Sequence, residues 1–261
     1  MIISSRQNPL IKEIASLKQK KYRQQKGLFL IEGPWALKEV LKFGGLVYFF
    51  YTPEFQNREG ELWQEIIEKC ETYYEITPEV LKRISDTKTP AGALGVTKIP
   101  FYDPDEIFQN SSFCAILNDI SDPGNVGNLI RAASAFGLDA IFFTPFSADP
   151  YSPKVVRSTM GALFHLPLIF LEEKEIIEKA KAHNFSLYIA EAHHGTTLKD
   201  VKFTFPLLIV LGNETKGPSS FLAQGGIKVN IPIVRAESLN VASAGAIFFY
   251  EASAQFPKNM L

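Results

Sequence analysis

The sequence predicts two α/β domains, and three observations lead there. From Leu28 to Thr97 short apolar runs alternate with amphipathic stretches, the pattern of a small domain mixing strands and helices. From Phe113 onward the apolar runs become nearly continuous, Leu207–Leu211 above all, which suits strands covered on both faces of a parallel sheet. Between the halves, Lys98 to Ser112 holds Pro100, Pro104, Asn110 and two serines, and reads as a linker. The expected organisation is a first domain over residues 1–100, a linker over 101–112 and a second domain over 113–261.

Each element has a local reason. Asn8 can cap a first helix, Pro9 suits its first turn, and Leu10, Ile11, Ile14 and Leu17 share one face. A basic run follows, Lys18, Lys20, Lys21, Arg23 and Lys26, with no acid among them. A strand over Leu28–Ile31 leads through Gly33-Pro34 into a helix that ends near Gly44. Next come a strand over Leu46–Tyr51, a helix over Glu61–Cys70, a strand over Tyr73–Ile76, a helix over Pro78–Ile84 and a strand over Ala93–Thr97. In the second half, strands are expected over Phe113–Leu117, Ala140–Thr144, Leu168–Leu171, Ser186–Ala190, Leu207–Leu211 and Lys228–Ile233. In parallel sheets ligands bind beyond the carboxyl ends of the strands.

Composition narrows the function. A chain of 261 residues, 46% hydrophobic and 21% charged, is long enough for a well-buried core. Its formal net charge of −1 excludes a globally basic nucleic-acid binder but leaves room for a local basic patch. Two cysteines without a CxxC pair and four histidines suggest neither a disulfide framework nor a zinc site, so no metal is expected and the thiols read as buried and free. The chain opens without a long apolar stretch and no apolar run is long enough for a bilayer, so a cytoplasmic protein without a membrane partner is expected.

Three polar clusters lie where an apolar strand or helix begins or ends: Asp122 to Arg131 (DPGNVGNLIR), Gly212 to Gly217 (GNETKG) and Ser238 to Asn240 (SLN). In the first, Pro123-Gly124 makes a turn, Asn125 can cap the next helix and Gly137 can end it. Val126, Leu129, Ile130, Ala133 and Phe136 fall on one side of that helix, so Arg131 points nearly away from the apolar face. There it is either an exposed helix arginine or a fork poised at a cleft rim to grip a phosphate or oxyanion. In the second cluster the glycines allow a tight turn and close approach of a ligand; a plain strand-to-helix loop has the same composition. The third begins a helix over Leu239–Ala254, with Ser238 as the expected N-cap. Asn240, early in that apolar helix, is costly to bury unpaired. His193-His194 reads as an exposed loop and His165 as a packing residue.

In order, spacing and flanking hydrophobicity the three clusters resemble the signature motifs of the SpoU/TrmH branch of the SPOUT RNA methyltransferases, over roughly Phe113 to Gln255. Phe29 to Pro34 (FLIEGP) and Thr89 to Val96 (TPAGALGV) are similar to the ribosomal-protein-like (L30e-like) substrate-binding domain often attached to these enzymes. The resemblance implies an α/β-knot domain: a parallel sheet whose carboxyl-terminal part is threaded into a deep trefoil knot, a topology that general rules would not suggest. It also implies a homodimer that moves a methyl group from S-adenosylmethionine to a ribose 2′-hydroxyl of RNA, with ribosomal RNA favoured by the first domain. Matched residue by residue, the catalytic positions fall on Asn125, Arg131, Glu214, Ser238 and Asn240. The methyl donor is expected beside Thr144, Leu211, Gly212, Asn213, Gly217, Ile231, Ser238 and Leu239. Glu214 and Asn125 are expected to orient Arg131. Asn128 stands where a small residue is commoner in the family, and nothing in the sequence accounts for it.

RNA contact is expected from the amino-terminal helix and its basic run: Lys12, Lys18, Lys20, Lys21, Arg23 and Lys26. A solvated helix face would have the same charges. A tRNA substrate is the alternative within the fold, and a catalytically silent RNA-binding or ribosome-assembly factor is the alternative outside catalysis. A nicotinamide dehydrogenase lacks support, because no GxGxxG follows an early strand.

Overall fold

In a computed structural model that describes residues 2–256, the chain divides into two compact units. The first combines Met1–Pro100 with Asp149–Phe164, and the second combines Phe101–Ala148 with His165–Leu261. Pro257–Leu261, which close the expected second domain, lie outside the described residues, as does Met1.

The first unit holds strands β1 (Ile2–Ile3), β2 (Leu28–Glu32), β3 (Tyr48–Tyr51), β4 (Tyr73–Ile76) and β5 (Ala93–Lys98). They form one mixed sheet in the order β1-β4-β3-β5-β2, with β5 antiparallel to both neighbours. Its helices are α1 (Pro9–Ser16), α2 (Lys20–Lys26), α3 (Pro34–Val40), α4 (Pro53–Arg58), α5 (Gly60–Lys69) and α6 (Pro78–Ile84). The Asn8 side chain does cap α1, accepting from the Leu10 N–H at 2.9 Å. Ile11, Ile14 and Leu17 then pack with Leu30, Phe50, Leu94 and Val96 of the sheet and with Val80 and Ile84 of α6.

Two expectations about boundaries are corrected. Residues 101–112 are not a linker: they carry α7 (Pro104–Asn110), and Phe108 on it is fully buried, stacked on Phe142 at 4.6 Å. Pro104 is the first helical residue after the Asp103 cap, where its missing N–H costs nothing, so a residue that looked like a breaker starts the helix. The segment 149–164, expected in the second domain, belongs to the first unit, where its helix α9 (Pro153–Ser158) packs against β2. Charge holds it there. Arg157 on α9 reaches Glu32 at 3.4 Å and Asp86 at 3.1 Å, and Asp149 accepts from the Arg23 Nε at 3.0 Å.

The second unit holds β6 (Phe113–Leu117), α8 (Pro123–Ala135), β7 (Ala140–Phe143), β8 (Leu168–Phe170), α10 (Glu173–Ala182), β9 (Ser186–Glu191), β10 (Thr196–Thr197), β11 (Leu207–Leu211), α11 (Ser220–Ala223), β12 (Ile227–Asn230) and α12 (Val241–Gln255). Its seven strands lie in the order β10-β12-β9-β11-β6-β7-β8, and every neighbouring pair is parallel. The central strands β6 and β11 are buried at every residue, as their unbroken apolar sequence requires. α12 packs on α8 and on β11, and Gly245 brings it close: a Cβ there would meet Leu129 and, at 2.8 Å, Leu211. The loops after β6, β9, β11 and β12 therefore gather at one end of the sheet.

Candidate active site

The site begins with two helix caps, neither of them the residue expected. Asp122, not Asn125, caps α8, accepting from the Asn125 N–H at 2.9 Å. Asn240, not Ser238, caps α12, its Oδ1 accepting from Ala242 N–H at 2.9 Å and Ser243 N–H at 3.3 Å. Each shift frees a side-chain amide. With its oxygen engaged by the helix, Asn240 presents its Nδ2, which donates to Asn125 Oδ1 at 2.9 Å. Asn125 in turn presents its own Nδ2, which donates to Glu214 Oε1 at 2.6 Å. The donors and acceptors alternate without conflict along the whole relay, so each amide has one orientation that satisfies it. Residues from all three polar clusters thus meet, though Glu214 is 89 positions and Asn240 115 positions from Asn125.

Arg131 does not join them. It is exposed six residues further along α8, about 9 Å along the axis by helical rise, and makes no hydrogen bond or ion pair among the described residues. The expectation that Glu214 and Asn125 orient Arg131 is corrected: within one chain, Glu214 accepts from Asn125 instead.

Beside the relay lies a hollow of about 480 Å³, within the usual size range of small-molecule sites. Of the residues expected to hold a donor, Leu211, Gly212, Asn213, Gly217, Ile231, Ser238 and Leu239 line it, and so does Glu214. Thr144 does not. It is fully buried at the end of β7, where its hydroxyl donates to Asp119 Oδ1 at 2.6 Å and accepts from the Asp119 N–H at 2.9 Å. Three strands separate β7 from β12, so the strand-end position that looked equivalent in sequence faces another hollow. Conversely, His193, Ile233, Glu237 and Phe248 line the site without having been singled out for it. The apolar ones carry no local signal, and His193 read as a plain loop.

The loop after β11 closes tightly. Gly217 N–H donates to Asn213 O at 2.8 Å, and Asn213 Oδ1 accepts from the Thr215 N–H at 3.0 Å. A Cβ on Gly212 would land on the backbone of Gly217 and Pro218, so only glycine fits there. Glu191, Glu214 and Glu237 line the hollow against one lysine, Lys216, a balance that favours a cationic guest.

Two residues of the basic run are taken up inside the first unit. Arg23 is 2% exposed, and its Nη1 donates to the carbonyls of Leu17 and Lys18 at 2.8 Å each while Asp149 takes the rest of the fork. Lys18 donates to the carbonyls of Arg83, at 2.9 Å, and Ser85, and burial pulls its ammonium below the usual lysine value. Lys26 pairs with Glu13 at 2.6 Å. Arg23 and Lys18 are therefore structural and are withdrawn as RNA contacts. Lys12, Lys20 and Lys21 remain on the surface. Among the described residues no helix is long and apolar enough to cross a membrane, and no group of three or more His, Cys, Asp or Glu could hold a metal ion.

Comparison with known proteins gives the family. Residues 112–250 match the SpoU rRNA Methylase family, and residues 8–95 match the MRM3-like substrate binding domain. An uncharacterised tRNA/rRNA methyltransferase of Synechocystis is 31% identical, over 97% of this chain and 93% of its own. The 23S rRNA (guanosine(2553)-2′-O)-methyltransferase RlmP of Bacillus subtilis is 28% identical, over 95% of this chain and 97% of its own. The crystal structure of the SpoU methyltransferase AviRb from Streptomyces viridochromogenes, in complex with the cofactor AdoMet, superposes with a TM-score of 0.86 at 27% identity, covering 95% of this chain and 98% of that one. A match that spans more than half the chain and contains all three polar clusters places this protein in the SpoU rRNA methylase family.

Proposed function

We propose that the protein transfers the methyl group of S-adenosylmethionine to a ribose 2′-hydroxyl of ribosomal RNA, in the cytoplasm where that RNA is found. The observation that carries this reading is the relay from Asn240 through Asn125 to Glu214 beside a hollow of suitable size. The residues present fit the donor. Ile231, Leu239 and Phe248 offer apolar walls, the loop backbone at Gly212 allows close approach, and the carboxylates of Glu214 and Glu237 suit a molecule with a net positive charge. Bound there, S-adenosylmethionine would supply an activated methyl group.

The protein's own part is to bind, align and shield. Asn240 and Asn125 hold the Glu214 carboxylate in place, and Ser238 offers a hydroxyl at the rim. Alignment of two reactants in one site can supply a large share of the acceleration. Arg131 positions the ribose and stabilises the oxygen as its proton leaves. Because it faces outward, it does so in an assembled homodimer. Asn128, Arg131 and Ala135 form the exposed face of α8, next to an exposed stripe of α12 formed by Ser243, Ile247, Tyr250 and Ala254. The spacing of that stripe is that of a helix face made to be covered, and a second copy of the chain is its natural cover. A mass of one chain by light scattering at micromolar concentration would rule the dimer out. The first unit is proposed to be the L30e-like RNA-binding domain. The return of α12 to β11 supports the trefoil knot; an experimental chain trace with α12 outside the loops after β11 and β12 would remove it.

Transfer of labelled methyl groups to ribosomal RNA, with transfer RNA as the contrast, tests the activity. Arg131→Ala should lose about a hundredfold or more in turnover, the scale of a lost oxyanion donor, while its donor affinity stays as in the parent. Turnover close to the parent would exclude Arg131 from the mechanism. Replacing Lys12, Lys20 and Lys21 by alanine should weaken RNA binding and reduce its salt slope by about 2, at roughly 0.7–0.9 per phosphate contact. An unchanged slope would place the RNA elsewhere.

A further inference from the structure

We infer that Asn118 and Glu173 are positioning residues for the methyl-donor site, holding the loop over residues 212–219 in the shape that lines the hollow. This rests on the proposed function, since it names what keeps that site in register. The middle of the loop, Glu214 to Lys216, is exposed, so little apolar burial holds it. Exposed loops with few buried contacts are the first parts of a fold to open, and ordering them costs entropy that specific ties must offset. The ties lie at the two ends of the loop.

At the first end, the Asn118 N–H donates to the Leu211 carbonyl at 2.8 Å and Asn213 Nδ2 donates to the Asp119 carbonyl at 3.1 Å. At the second end, the Ser219 N–H donates to Asn118 Oδ1 at 2.7 Å and the Ser219 hydroxyl donates to Glu173 Oε2 at 2.9 Å. Asn118 Nδ2 donates to Glu173 Oε1 at 2.8 Å and closes the triangle. One asparagine thus grips both ends of the loop, and one carboxylate fixes both the asparagine and the far end. Asn118 is 1% exposed, and its remaining amide proton goes to Thr144 Oγ1 at 3.3 Å, so no other arrangement of this side chain satisfies it. Neither Asn118 nor Glu173 lines the donor hollow. They act through the backbone of the loop that does.

Glutamine can take over the carboxylate's part: its oxygen can accept from Asn118 and its amide can donate to the Ser219 hydroxyl, which is free to turn. Alanine cannot. Binding of S-adenosylmethionine to the full-length chain, followed by calorimetry at a temperature where every variant is folded, separates the outcomes. Glu173→Ala should raise the dissociation constant by about tenfold or more, the effect of losing hydrogen bonds to a charged group, and Glu173→Gln should stay within about threefold of the parent. Ser219→Ala should weaken binding less, and adding it to Glu173→Ala should weaken binding little further, because the pair acts as a unit. Parent-like donor affinity in Glu173→Ala, with only the melting temperature lowered, would overturn the inference, as would full additivity in the double variant. If the parent chain itself fails to bind S-adenosylmethionine, the proposed function falls and takes this inference with it; if the parent binds and Glu173→Ala binds equally well, only the inference falls.

Discussion

Asp149→Ala is expected to destabilise the first unit by about 3–5 kcal/mol, the range found when one partner of a buried ion pair is removed. The reason is what stays behind. Arg23 is 2% exposed and keeps two backbone carbonyls as acceptors, but the carboxylate that balances its guanidinium among the described residues is that of Asp149. Arginine cannot shed its proton to escape, so the charge remains buried or the segment around it opens. Both tryptophans, Trp35 and Trp63, lie in this unit, so their fluorescence during urea unfolding reports on it specifically. A loss below about 1 kcal/mol, the range of exposed ion pairs, would show that the contact is surface-like and that residues 149–164 are held by other means.

Gly212→Ala is expected to abolish detectable donor binding, with a fall in affinity on the order of a hundredfold or more, about 2.7 kcal/mol. The added methyl would occupy the space of the Gly217 and Pro218 backbone, and backbone cannot rotate aside as a side chain can. The loop must therefore open, which separates Asn213 from Gly217 and carries Glu214 away from Asn125. Calorimetric titration with S-adenosylmethionine checks this. The contrast is Gly245→Ala, where the methyl meets only the ends of the Leu129 and Leu211 side chains, which can shift. A Gly212→Ala protein that binds the donor as the parent does would mean that the loop adjusts freely and does not shape the site.

Much of the fold could be read in advance because its signals are local. β6, β11 and α6 have the bounds that the sequence predicts, Phe113–Leu117, Leu207–Leu211 and Pro78–Ile84. Unbroken apolar runs and a Thr77-Pro78 start need no distant partner to be recognised. Three of the helices that the sequence did not announce, α4, α7 and α9, begin with proline and are six or seven residues long, too short to show a period. At such lengths Pro reads as an interruption, and only packing reveals it as a first turn.

The candidate site shows the same division. Which residues carry the polar chemistry was legible, since Asn125, Glu214 and Asn240 fall in three polar clusters set against apolar runs, in an order and spacing that resemble a known family's motifs. Which cap goes to which helix was not, because Asp122 and Asn125, or Ser238 and Asn240, are equally able acceptors and the choice depends on where the freed amides must point. Lys18 and Arg23 were misread for a related reason. A run of positive charge implies a solvated face unless acceptors arrive from elsewhere: Asp149 reaches Arg23 from 126 residues away, and the carbonyls of Arg83 and Ser85 reach Lys18 from 65 and 67.

The amino-acid sequence alone determined the two α/β halves, the parallel character of the second sheet and the three clusters from which a site is built, because periodicity and burial cost are properties of neighbouring residues. Only the tertiary structure decided that residues 149–164 complete the first unit, that Thr144 braces Asp119 rather than lining the hollow beside the relay, and that Glu214 meets Asn125 while Arg131 stands apart. Those outcomes depend on which distant groups meet, and a pairing across a hundred residues leaves no periodic trace in the chain.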